Sequence, residues 1–509
     1  MGNNYIALTF GPITRVISLA NTTRGMWAAS YLFSYLAKEI IRPFTGRVFL
    51  LPYISDDLYF KDKEKNEVIT FDGAGVFPDR YIFEANDDDF ELLAQKAEEV
   101  IEKLAKRIAP NDVDSATLML KQYLKVYFFK AQKKDSEDDR AFVKRCEGQL
   151  ALLEQHDSFI PTIPQNKHYL SKIINSEKLS PMRFLLEDAG IGKFKSIVNI
   201  STGDDGLGYK VIPEKLKSYE KYIAIVYADG DSMGEAFSTV KESNELSRKL
   251  FEFNKAAIAS IKDFDAQPVY IGGDDLFFFA PIYNPSRGSV FTLLDTLDQS
   301  FHSALGENSP ATLSFGVSIT YFKYPMSEAV KLSKELLFKA KGYGGDMPEG
   351  IKPLKNNVLF AVQKHSGQSR SALLHKGCID TAKRMNNIIN KYIKVENDDN
   401  LQLVSSVMHN LREHEPVLLN AISDDRLLEQ YFNNNYNEPA HESFKGFFDD
   451  VRSFLSVAYK EHIGKTNLLK KSLESSIEGR PSGYDEAYAA LDLCYATLQF
   501  IHLVNLKKQ

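Results

Sequence analysis

Two stretches of this 509-residue chain concentrate carboxylates at points where the backbone should leave them open: KYIAIVYADGDSMG (221–234) and PVYIGGDDLFFFAPI (268–282). In the first, a mostly apolar run predicts a buried strand ending at Ala228. Asp229 and Asp231 then emerge at its C-terminal end, and Gly230 and Gly234 let the backbone approach a ligand closely. In the second, Gly272-Gly273 between two apolar runs predicts a hairpin tip that presents Asp274 and Asp275. Three or four carboxylates without a basic residue in the motif repel one another at short range. Hard divalent cations remove that repulsion, and oxygen donors of this kind suit Mg²⁺ or Mn²⁺. Two such ions, roughly 3.5–4 Å apart, would activate a ribose hydroxyl and stabilise a leaving pyrophosphate. The plain alternative for an acidic turn is simple solvation. The upstream Asp229 and the element order around both motifs favour chemistry.

That order is strand, helix, strand, strand, helix, strand, and the chain has it twice. In the first copy, Tyr5–Phe10 reads as a strand and Asn21 or Thr22 caps a helix through Trp27 to Ile41. Arg47–Ile54 and Val76–Glu84 read as strands around a polar loop, Asp89–Ile108 as an amphipathic helix, and Gln122–Phe129 as a strand. In the second copy, strands are predicted at Tyr222–Tyr227, Pro268–Ile271, Leu276–Ile282 and Thr312–Thr320. Helices are predicted at Glu242–Phe264 and Val290–Leu305, followed by a helix at Ser327–Lys341 and a strand at Asn357–Val362. Each copy has the order of a split β-α-β, ferredoxin-like unit. In such a sheet the strand after the hairpin tip runs antiparallel beside the first strand, so Asp229 should meet the Asp274-Asp275 pair. The fold class is therefore α+β: two ferredoxin-like palm units plus two helical domains. The expected boundaries are a first, non-catalytic palm at 1–130, a helical insert at 131–219, a second palm with GGDD at 220–365, and a helical C-terminal domain at 366–509. From Ser366 onward nearly everything reads as helix.

Composition bounds other readings. Three scattered cysteines (Cys146, Cys378, Cys494) cannot build a disulfide framework or a four-cysteine zinc site. His156-Asp157, the one adjacent His-Asp pair, lacks a second metal-spaced histidine and reads as a surface helix end. A net charge of −6 argues against a general nucleic-acid coat. No uninterrupted apolar run reaches the roughly 20 residues of a bilayer span, and the start of the chain lacks a secretory pattern. A cytoplasmic address without membrane contact is expected.

YADGDSMG with YIGGDD, then SFGVSIT (314–320), YPMSEAV (324–330) and LLFKAKG (336–342), resemble the large palm-domain subunit of type III CRISPR–Cas effector complexes. That is the Cas ten family. The opening ALTFGPITRVISLANTTRGMWAASYLFSYLAKEI and FPDRYIF (77–83) are similar to its Cmr-type branch. The resemblance implies metal binding by Asp229 and Asp275, supported by Asp274 and Asp231. It implies a nucleotide-accommodating turn at Gly272 and Gly273, with Gly230 beside it, and a triphosphate-directed lysine at Lys341, with Lys339 second. It implies that Ser314 and Gly316 line the adenine side. In the first palm GPITR stands where YADGD stands in the second, which implies a binding surface for a second nucleotide without metals. The implied cofactors are two Mg²⁺ or Mn²⁺ ions, with ATP as substrate and S-adenosylmethionine as a co-substrate in some members; no zinc is implied. The implied partners are crRNA, target RNA and other Cmr subunits, including the small subunit. Because the first palm begins at residue 5, the HD nuclease of many members is expected to be absent. The product is either cyclic oligoadenylate or S-adenosylmethionine bearing AMP, and the palm motifs leave both open. A catalytically silent scaffold and a free-standing cyclic dinucleotide synthase are the alternatives from other classes. Arg15, Arg24 and Arg80 lie on the first-palm motifs without an assignable RNA role.

Overall fold

The computed structural model describes residues 4–54, 73–156, 168–176, 182–204, 216–239, 244–342, 354–364, 369–393, 398–436, 445–463 and 486–505. Asp157 of the His-Asp pair lies outside these residues.

A four-stranded antiparallel sheet opens the chain, built from β1 (Asn4–Gly11), β2 (Phe49–Leu51), β3 (Arg80–Glu84) and β4 (Lys125–Gln132) in the order β2-β3-β1-β4. Period-two alternation in β1 sends Ile6, Leu8 and Phe10 into the main core, together with the helices Thr23–Ile41 and Asp89–Ile108. Tyr5 and Ala7 face the other way, into a smaller core with Phe142, Val143, Cys146 and Leu150 of the helix Asp139–His156. The helix Asp139–His156 is thus the cover for the outer face of this sheet. Thr22 caps the Thr23–Ile41 helix by accepting from Gly25 N at 3.0 Å. The buried Trp27 of that helix stacks on Phe194 of the insert.

The second sheet has six strands in the order β12-β11-β10-β5-β7-β6. They are β5 (Tyr222–Asp231), β6 (Gln267–Gly272), β7 (Asp275–Pro281), β10 (Thr312–Tyr321), β11 (Asn357–Gln363) and β12 (Ser369–His375). A minimal ribbon, β8 (Tyr283–Asn284) with β9 (Gly288–Ser289), leads into the helix Val290–Leu305. The strands β10-β5-β7-β6 repeat the order of the first sheet. The helices Glu245–Asp263 and Met326–Ala340 pack on β6 and β10 respectively.

The structure corrects three element expectations. β5 continues through Asp231 rather than ending at Ala228, because β10 pairs with it as far as Thr312 opposite Asp231. Val113–Tyr123 is a helix directly before β4. Ser369–His375 is a strand, not a helix, and extends the second sheet beyond β11. The helix Glu486–Asn505 is long and apolar enough to cross a membrane by composition, but 89% of its 18-residue apolar window is buried inside the protein. It packs against β12 and the helix Lys445–His462 as a core helix.

Candidate active site

Register brings the two acidic stretches together. β5 and β7 pair Ala228 with Leu276, and β6 and β7 close with Gly272 opposite Asp275. Extending the antiparallel ladder by one residue sets Asp229 across from Asp275, where opposed Cβ atoms lie about 4.5–5.5 Å apart. A side-chain carbon at Gly230 would stand 2.7 Å from Cβ and Oδ2 of Asp274 and 2.8 Å from Sδ of Met233. Glycine is required here because the hairpin tip rests on it. Gly273 holds the left-handed conformation of the tip, with φ 64. The space beside Gly272 is filled by the Tyr270 ring, with its hydroxyl 2.4 Å from where a Cβ would stand.

Lys341 ends the Met326–Ala340 helix and is nearly buried. Its Nζ lies 2.5 Å from Asp229 Oδ2 and donates to the Gly230 carbonyl at 3.0 Å. An ammonium therefore sits where a carboxylate and a carbonyl oxygen converge, and both are donors that suit a hard cation. Asp231 is different. It is 1% exposed, and its Oδ2 accepts from Thr312 Oγ1 at 3.0 Å, Ser314 Oγ at 2.6 Å and Asn356 N at 3.0 Å. Its Oδ1 has no hydrogen-bond partner and lies 4.0 Å from Lys341 Nζ. The longer β5 thus turns Asp231 inward, away from the open position expected at a strand end.

Ser314 and Gly316 are likewise part of the framework. Ser314 is fully buried and also accepts from the Asn356 and Asn357 amides. A Cβ at Gly316 would stand 2.3 Å from Leu337 N and Ser333 O, so this glycine lets the Met326–Ala340 helix approach β10. Neither lines the cavities around the turn. Lys339 is half-buried in the last turn of that helix and lines neither cavity.

Two cavities flank the acidic turn. The larger, ≈ 1840 Å³, is walled by Asp79 and Arg80 at the start of β3, Met233 just after β5, Asn254 of the helix Glu245–Asp263, and Gly273 and Asp274 of the β6–β7 turn. The smaller, ≈ 570 Å³, has Pro12, Ile13 and Arg15 from GPITR on one side and Tyr227, Asp275 and Lys334 on the other. Burial, then the charge of Asp229, pushes the Asp274 carboxyl up to about 7, with Lys341 opposing. Asp275 is open to water along the cleft but enclosed by its walls. That enclosure, then the charges of Asp274 and Asp229, holds its carboxyl well above the ordinary range. Among the described residues no three His, Cys, Asp or Glu side chains are gathered as a ready metal site.

Sequence reasoning missed two residues here. Asp79 lines both cavities, and its charge acts on both Asp274 and Asp275. Burial holds its own carboxyl up, against the pull of Arg80. Lys334 lies 5.1 Å over the Tyr227 ring, and burial lowers its pKa while Asp275 opposes. The only signal for Asp79 was its place in FPDRYIF. Of the three arginines singled out on the N-terminal motifs, Arg24 donates to Ser176 O at 2.7 Å and Arg80 pairs with Glu154 at 3.0 Å, while Arg15 lines the smaller cavity.

Residues 222–346 match the family model described as Cas10/Cmr2, second palm domain, and residues 5–110 match that of CRISPR-associated protein Cmr2, N-terminal. A search of the curated proteins finds no match. Similar solved structures include a Csm1-Csm4 cassette in complex with cA4, at 13% identity, covering 98% of this chain and 70% of that chain with TM-score 0.52. A Csm1-Csm4 cassette in complex with pppApApA has 12% identity, coverage of 98% and 69%, and TM-score 0.53. The apo state of a type III-B Cmr-beta complex has 11% identity, coverage of 99% and 82%, and TM-score 0.52. At these identities the likenesses speak for a shared fold.

Proposed function

Because the chain belongs to the Cas10 family of type III CRISPR effector subunits, we propose that it is a nucleotidyltransferase that converts ATP into a second messenger when its complex pairs with target RNA. Its partners in this reading are crRNA, target RNA and other Cmr subunits, including the small subunit. The observation that carries it is the convergence of Asp229 Oδ2 and the Gly230 carbonyl on one cationic point beside the Asp274-Asp275 turn. These oxygens fit Mg²⁺ or Mn²⁺, and Asp229, the Gly230 carbonyl, Asp274 and Asp275 would hold the ions. When bound, such ions neutralise the carboxylates, assist loss of the acceptor hydroxyl proton and stabilise pyrophosphate. The chain's own groups do the rest. Lys341, released from Asp229, would be free to take a phosphate oxygen. The open side of Gly273 leaves room for nucleotide, and the GPITR side of the smaller cavity seats the acceptor. An acceptor hydroxyl oxygen bonds to the α-phosphorus of ATP, the bond to the β-phosphate oxygen breaks, and pyrophosphate leaves. The domain plan in this reading is a first palm at 1–130, an insert at 131–219, a second palm at 220–365 and a C-terminal domain from 366, with β12 as a strand donated back to the second palm.

The test is the assembled complex with guide and target RNA, labelled ATP and Mn²⁺, with or without S-adenosylmethionine. Product is expected in the wild type. With S-adenosylmethionine absent, cyclic oligoadenylate marks one outcome, and product only in its presence marks the other. Asp274→Ala with Asp275→Ala should abolish synthesis while the complex still assembles. A second reading, a silent scaffold, draws on the Lys341–Asp229 pair and the lack of a ready-made ligand cluster among the described residues. Product from the wild-type complex that disappears in the double variant rules it out.

A further inference from the structure

The acidic turn is held from behind by the side chain of Asn254. Gly273 and Asp274 are the two central residues of the β6–β7 hairpin, and Gly272 and Asp275 pair across its base. Positive φ at the first central position alone, Gly273 at 64, is the pattern of a type II′ turn. In a two-residue turn the N–H and C=O of the first central residue point away from the ladder and need partners elsewhere. Asn254, 3% exposed on the helix Glu245–Asp263, supplies both. With its carboxamide oriented to satisfy the turn, its nitrogen donates to the Gly273 carbonyl at 2.9 Å and its oxygen accepts from the Gly273 amide at 3.1 Å. A carboxamide carries a donor and an acceptor in one plane, so it can engage a residue's N–H and C=O together. Aspartate of the same size would face the carbonyl with a second acceptor. Alanine would leave both backbone groups unpaired.

The support behind Asn254 is firm, because its helix packs on β6 and on the helix Val290–Leu305. Asp274 and Asp275 follow Gly273 directly. Fixing Gly273 on both edges sets the direction in which the two carboxylates leave the chain. We infer that Asn254 is the positioning residue of the acidic turn, acting through the backbone of Gly273 rather than by touching nucleotide; the inference rests on the nucleotidyltransferase reading.

Two measurements test it on Asn254→Ala and Asn254→Asp: ATP turnover by the assembled complex, and Mn²⁺ binding to the full-length chain followed by electron paramagnetic resonance. Turnover should fall about 10- to 100-fold with KM for ATP within about twofold, the pattern of misplaced reacting groups. The apparent Kd for Mn²⁺ should rise several-fold. Thermal unfolding identifies a variant that has lost its fold, and Asn254→Asp, which conserves volume, then stands in for Asn254→Ala. A folded variant with wild-type turnover and wild-type Mn²⁺ affinity overturns the inference and leaves Asn254 a stabilising residue. Should the wild-type complex itself make no product, the nucleotidyltransferase reading fails. Unchanged Mn²⁺ affinity in the variants then overturns the positioning role independently.

Discussion

Lys341 is the residue on which the local charge balance turns. Its ammonium lies 2.5 Å from Asp229 and 3.0 Å from the Gly230 carbonyl, and it opposes the rise in proton affinity of Asp274 and Asp275. Lys341→Met keeps the aliphatic length and removes the charge. In the absence of divalent ions this should lower stability by about 1–3 kcal/mol, the range for stripping a partner from a partly buried charge. Added Mg²⁺ should recover most of the loss, since a cation held by the same oxygens does the same neutralising. Thermal unfolding in EDTA and in excess Mg²⁺ checks this, and a deficit of equal size in both would refute charge compensation as the role of Lys341. The lysine itself was legible from LLFKAKG. Its pairing with Asp229 was not, since that depends on how a helix end meets a strand end far away in sequence.

At the scale of elements, apolar alternation made most of the architecture readable: β1, the hairpin β6–β7, β10 and the helix Asp89–Ile108 lie within a residue or two of expectation. The misses have physical causes. The apolar residues of Val113–Tyr123 lead into those of β4 with only Lys121, Gln122 and Lys125 between them and no glycine or proline, which hides the change from helical to strand spacing. Only the second half of β12 is buried, and its ladder partner lies across a connection, so local pattern does not reveal it. Gly316 looked like a ligand-facing glycine in SFGVSIT, but helix packing claims it. Gly316→Ala would drive a methyl into the backbone of residues 333 and 337, destabilising the fold by about 2–3 kcal/mol. It should also impair nucleotide transfer, because Lys341 ends the displaced helix. Urea unfolding and turnover measured together check it, and full stability with full activity would contradict the packing role. The core helix Glu486–Asn505 has its own pH signature. Burial, and then the charge of Lys364, pull His502 down to about 4. The folded state therefore keeps a neutral imidazole while the unfolded chain takes a proton near 6.5. The stability contributed by neutral His502 is lost as pH falls from about 6.5 toward about 4. The unfolding midpoint should drop less over that interval in His502→Gln than in the wild type, and parallel drops would contradict it.

At the scale of the whole molecule, the site belongs to both sheets. Ile271 N donates to the Gly75 carbonyl at 3.0 Å, and the helix Thr23–Ile41 packs on β6, so the edge of the second sheet is fastened to the first unit. That junction sets Asp79, one residue before β3, against the Asp274-Asp275 turn. No motif spacing could have revealed it, because the contact spans two units and is set by their docking. The consequence is electrostatic. Asp79 adds negative potential where Asp229, Asp274 and Asp275 already crowd, and a low-dielectric cleft strengthens its reach. Asp79→Asn removes the charge at nearly constant volume and should weaken Mn²⁺ binding to the full-length chain by about fivefold, the effect of roughly 1 kcal/mol of lost attraction. Because the effect is Coulombic, it should shrink as salt rises and the partly exposed cleft is screened. Electron paramagnetic resonance titrations at low and high ionic strength read both. Unchanged affinity at low salt would mean that the first sheet provides shape to this site but no charge.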